Sequence, residues 1–127
     1  MKIILITLVF LFSCFESYCE WKFIHRQSNG NNIYLNFQSV KFKNGLVYWS
    51  ELVNFDEQIA GIMSMSVNMV GNCKKFYQRS VKFDYFSKHF GKEFVNSSSN
   101  KGKKWVIIDP KSPQYQILKK ICKSYKN

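Results

Sequence analysis

Four cysteines, two histidines and a short lysine-rich stretch are the residues here whose types could do chemistry, and their spacing decides which chemistry. Cys73 and Cys122 stand well inside the chain, whereas Cys14 and Cys19 fall in its apolar opening. His25 and His89 have no partner motif beside them, and there is no nucleophile elbow, phosphate-cradling glycine loop or metalloprotease helix. A zinc site would need both inner cysteines and both histidines, and export favours a disulfide over it. Acid–base work would need Asp56, Glu57, Asp84 or Asp109 to converge, and their spacing selects no such pair. The reading is of a non-enzymatic protein without a cofactor or a metal.

What remains is binding. Lys101, Lys103 and Lys104 crowd a glycine-containing loop that suits an anion, and Trp105 beside them offers a face for stacking on a sugar or a base. The bland alternatives are a solvated loop and a tryptophan that starts a strand and faces the core. The net charge of +11 points the same way as the lysines, toward polyanions such as glycans or lipid headgroups. Seventeen lysines against two arginines argue against planar, bidentate phosphate recognition, and nucleic acid is not an expected partner. Lysine, asparagine, isoleucine and phenylalanine share A/T-rich codons, so codon bias alone can supply much of the charge.

The opening of the chain sets the compartment. Lys2 followed by an apolar run over residues 3–12 and then smaller residues has the form of a secretory signal peptide. Ten apolar residues are half of what a spanning helix needs. Cleavage after Cys19, with Ser17 and Cys19 at the small positions, divides the chain into a leader at 1–19 and one domain at 20–127. The competing reading attaches lipid at Cys14, in the stretch Leu11-Phe12-Ser13-Cys14, which would hold the protein on a membrane and leave Cys19 as a free thiol. Under cleavage only Cys73 and Cys122 remain, an even pair that an oxidising compartment should join. The expected location is the periplasm or the outer surface.

The elements that must position these residues are mostly strands. Residues 21–26, 33–37 and 40–43 alternate in strand fashion, Asn44-Gly45 is a strong hairpin signal, and residues 46–55 are the return strand. Residues 56–60 read as a loop or a helical turn. Met63, Met65, Val67 and Met69 then share one face of a strand, as core packing does more often than a cofactor box. In the strand that follows Cys73, the more apolar set Tyr77, Arg79, Val81, Phe83 and Tyr85 is expected inside. Residues 93–95 read as a short edge strand and 96–104 as a polar loop. The last strand spans 105–108, and Ser112-Pro113 opens a helix that runs to about Ser124. Its buried face is expected to hold Tyr115, Leu118, Ile121, Cys122 and Tyr125.

In order, these features resemble the bacterial surface-adhesin protein E-like family. They are Trp21, a strand ending at Ser39, a Gly45 turn, Trp49, Cys73, Gly91, then Trp105, Ile108, Pro110, Ser112 and Cys122. The resemblance spans nearly all of residues 21–122. It implies an α+β fold, an antiparallel sheet of about six strands with a C-terminal helix packed on it and tethered by a Cys73–Cys122 disulfide. It also implies adhesion to extracellular proteins and dimerisation through the sheet. Two partner classes are therefore carried forward, an extracellular or periplasmic protein and a polyanionic ligand.

Overall fold

The computed structural model describes residues 20–100 and 104–124. Residues 1–19, where the signal peptide, Cys14 and Cys19 are expected, and also Lys101, Lys103 and Tyr125, lie outside the described residues.

Among the described residues seven strands and one α-helix follow in sequence: β1 (Lys22–Arg26), β2 (Asn32–Lys43), β3 (Leu46–Ile59), β4 (Ile62–Asn72), β5 (Tyr77–Lys88), β6 (Lys92–Ser99), β7 (Val106–Ile107) and α1 (Pro113–Lys123). The first six form an antiparallel meander in sequence order, and β7 pairs with β5 beside β6. The α+β class, the sheet and the C-terminal helix are as expected.

Local chemistry explains the joints. Asn44 and Gly45 both adopt positive φ, 53° and 79°, the two left-handed residues that a tight hairpin requires. The segments 33–37 and 40–43 belong to one strand, β2, which carries an irregularity between Asn36 and Lys41. Ser39 bridges it, its hydroxyl donating to the Asn36 carbonyl at 2.6 Å and accepting from the Ser50 N–H at 3.0 Å. Residues 56–59 are strand, not loop: β3 continues to Ile59 and turns at Ala60-Gly61, with φ of 50° and 82°, so Gly61 takes the place of Gly45 and Ala60 the left-handed place that Asn44 holds in the first hairpin.

Strand β5 departs from a single alternation. Asn68 pairs with Lys82 and Met69 with Ser80, so Val81 is an extra residue and the faces exchange there. Phe83 and Tyr85 lie on the helix side as expected, but above Val81 it is Gln78 and Ser80 that share that side, not Tyr77 and Arg79. Strand β6 is longer than residues 93–95, and its Asn96–Ser99 part pairs with Tyr85 through Lys82.

One face of the sheet carries α1. Leu35, Val47, Trp49, Val67 and Met69 meet Ile117, Leu118 and Ile121 in the core, with Ile108 at its margin. Ser112 caps the helix by accepting from the Tyr115 N–H, and Pro113 occupies the first turn. The close approach is made at Gly71, where an added Cβ would lie 2.9 Å from Leu118 Cδ1 and 2.9 Å from Trp49 Cζ3. Gly71→Ala is therefore expected to destabilise the fold by about 1–3 kcal/mol through overpacking. The check is a lower urea midpoint at unchanged slope.

The other face has a smaller lid. The 3-10 turn His89–Gly91 folds back on β3 and β4, where Phe90 N–H donates to Asn54 Oδ1 at 2.8 Å and Gly91 N–H to Ser64 Oγ at 3.1 Å. The His89 ring contacts the Phe55 carbonyl at 2.9 Å, and Phe90 stacks edge-on against Tyr34 at 5.1 Å. Leu52, Asn54 and Ser64 are buried beneath this turn.

Candidate binding surfaces

Cys73, after β4, and Cys122, in the last turn of α1, form a disulfide with Cα atoms 5.7 Å apart at a sequence separation of 49. Both sulfurs are thereby committed to closing the helix onto the sheet. The carboxylates do not converge. Asp56 pairs with Arg26 at 3.7 Å, Asp84 with Lys82 at 3.6 Å, and Asp109 caps its own turn by accepting from the Lys111 N–H. His89 holds the 3-10 turn, far in sequence from His25, and among the described residues no three His, Cys, Asp or Glu gather to hold a metal ion.

Trp105 does not face the core. It is exposed, and the Arg79 guanidinium lies 5.6 Å from its ring centroid, a cation–π contact across the rim of the sheet. Lys104 beside it is exposed. The residues that follow do not form a buried strand either: Val106 and Ile107 point outward, Ile107 at 71% exposure, and only Ile108 is buried. Arg79 went unnoticed in the sequence because a single alternation along β5 places it inside.

This rim is an open strand edge. Both β6 and β7 pair with the same side of β5, and among the described residues nothing pairs with their outer side. Residues 100–105, with Lys101 and Lys103 among them, join the two in sequence. Of the nine exposed large apolar side chains described, five lie here: Phe94, Val95, Trp105, Val106 and Ile107. They fall in two groups along it, Phe94 and Val95 where β6 pairs with Phe86, and Trp105, Val106 and Ile107 where β7 pairs with Tyr77 and Gln78, and an edge that carries so many exposed apolar side chains is a candidate interaction surface.

A second feature lies on the helix side. A cleft of about 310 Å³ opens between the first turn of α1 and strands β1 to β5, lined by His25, Ile33, Glu51, Val53, Val67, Phe83 and Gln114 among others. Glu51 is buried, 5% exposed. Its Oε2 accepts from Trp49 Nε1 at 2.7 Å, and Gln114 Nε2 donates to Oε1 at 3.1 Å and to Oε2 at 3.3 Å. Burial pushes the Glu51 carboxyl up to about 7, against the lowering effect of the Trp49 hydrogen bond. The sequence did hold a signal: Glu51 is the one acid in the inward set Val47, Trp49, Glu51, Val53 of β3.

Together these features define a small disulfide-closed binding protein, a meander sheet with one helix on it and an exposed apolar rim. The chain belongs to the surface-adhesin protein E family, whose model matches residues 21–123. Among solved structures it is similar to Haemophilus influenzae protein E, at 17% identity over 87% of this chain and 89% of that one, with a TM-score of 0.67. The selenomethionine form of that protein aligns at 20% identity over 81% and 87%, with a TM-score of 0.65. Protein E from non-typeable H. influenzae aligns at 19% identity over 86% and 80%, with a TM-score of 0.64. No curated protein sequence matches the chain. The family is one of surface adhesins, not a class of enzymes, so the chain is an adhesin-like surface protein.

Proposed function

We propose that the protein, exported by cleavage after Cys19, binds extracellular or periplasmic proteins along its β6–β7 edge. The observation that carries this is that five exposed apolar side chains lie along a strand edge that has no neighbour among the described residues, two on β6 and three at β7. An extended partner segment added there gains main-chain hydrogen bonds, and its side chains find Trp105, Ile107 and Phe94. Lys101, Lys103 and Lys104 favour an acidic segment. Dimerisation would use the same edge, with a second copy as the added strand.

The double variant Trp105→Ala, Ile107→Lys is expected to bind a panel of immobilised extracellular proteins at least tenfold more weakly, as two central contacts typically each contribute more than about 1 kcal/mol. Unchanged binding across the panel would contradict the edge as the site. The net charge of +11 supports a second reading, polyanion binding by the lysine loop. Salt separates the two: charge-driven binding falls by orders of magnitude between low and high salt, whereas strand addition persists.

A further inference from the structure

The Glu51 cleft has unmet acceptor capacity at Glu51 and Gln114, and its other polar side chains are His25, Gln27 and Ser80. Gln114 turns its Nε2 donor to Glu51, and its Oε1 is buried without a partner. The Glu51 carboxylate has about four lone-pair sites and receives donors from Trp49 and Gln114 alone. Both leftover valences are therefore acceptors. Buried charges are ordinarily paired, yet no lysine or arginine is among the residues lining this cleft, although the chain is rich in both charge and lysine. The other titratable group in the lining is His25, on β1. The remaining walls contributed by Ile33, Val53, Val67 and Phe83 are apolar, and the volume is about ten times the ~30 Å³ share of one water.

We propose that this cleft binds a primary alkylammonium group, its charged head on Glu51 and the Gln114 amide oxygen and its alkyl stem against Val53, Val67 and Phe83. An ammonium has three donors and no acceptor, which is the complement of what the site lacks. A neutral alcohol would satisfy one acceptor and leave the carboxylate without a counter-charge. Two sources share this chemistry, a small free amine and the lysine side chain of a bound peptide. The inference stands independently of the β6–β7 edge, which lies on a different part of the sheet.

The test uses the mature protein at pH 8, with n-butylamine, n-butanol and a lysine blocked at both backbone ends as probes. Binding is read from the NMR signal of the Trp49 indole N–H, which touches Glu51. Butylamine is expected to shift this signal in a saturable way with a dissociation constant on the order of 1 mM, and Glu51→Gln is expected to weaken it at least tenfold. If blocked lysine binds as tightly as butylamine, the natural source is a protein side chain; if it binds tenfold more weakly, the source is a free amine. Val53→Phe, which fills the cleft and keeps the charge, gives the same loss if Glu51→Gln does not fold. Equal binding of butanol and butylamine, or full binding to Glu51→Gln, overturns the proposal. So does the absence of any shift with butylamine.

Discussion

Reducing the Cys73–Cys122 bond, or replacing both residues by serine, is expected to lower stability by about 4 kcal/mol. The figure follows from the loop-closure entropy that a cross-link over 49 residues removes from the unfolded chain. For a domain of this size that is a fall of roughly 15–30 °C in melting temperature. The loss should concentrate in α1, because the helix meets the sheet through one face and the disulfide is its only covalent tie. Parallel melts with and without reductant, followed by far-ultraviolet circular dichroism, check it. Melts within about 5 °C of one another would show that the helix is held by Ile117, Leu118 and Ile121 alone.

The second large effect is the response of Glu51 to pH. Its folded-state carboxyl titrates at about 7 against 4.5 for the free group, so between those values the folded protein holds a proton that the unfolded chain has lost. Stability from this group is then fully present below about 4.5 and is lost as pH rises through 7. The total is about 3 kcal/mol from the size of the shift. His25 is the other titratable group lining the cleft, and a charge there would oppose the effect. Glu51→Gln should remove this dependence and should be the more stable protein at pH 8, since its amide can accept from Trp49 and donate to the unpartnered Gln114 oxygen. Urea titrations of both proteins at pH 5 and pH 8 decide it, and parallel pH profiles would contradict the buried-carboxyl account.

What could be read in advance followed from residues whose conformational needs are specific. Asn44-Gly45 announces a two-residue hairpin and Ser112-Pro113 a helix start, and both are found where expected. The cysteine pairing depended on compartment more than on geometry, and the fold bears it out. The misses share a cause, which is that tertiary pairing overrode a local pattern. Asn96 through Ser99 look like loop because they are polar, but an edge strand needs no apolar face when one side is water. Ala60 holds the left-handed first place of the Ala60-Gly61 turn, where asparagine or aspartate is the usual signal, and Val81 shifts the phase of β5 without any break in composition.

The binding surfaces were legible in part. The sequence singles out Lys101, Lys103, Lys104 and Trp105, but the exposed apolar side chains Phe94, Val95, Val106 and Ile107 come onto one edge only when β6 and β7 are placed on the same side of β5. Glu51 becomes notable through the cleft above it, and a cleft depends on where the helix stops covering the sheet.

The disulfide has a mechanical consequence for a protein that holds a partner at its edge. Cys73 precedes β5 and Cys122 lies in α1, so the covalent ring encloses β5, β6, β7 and nearly all of the helix. Tension applied between β1 and Ile107 of that edge extends the meander freely as far as Cys73, and from there the load crosses the disulfide and runs back from Cys122. That shorter arm, from 122 to 107, is about 50 Å of contour at full stretch, against about 120 Å for the direct arm from 73 to 107. Under shear, the disulfide thus shortens how far the edge can be drawn away from the rest of the sheet.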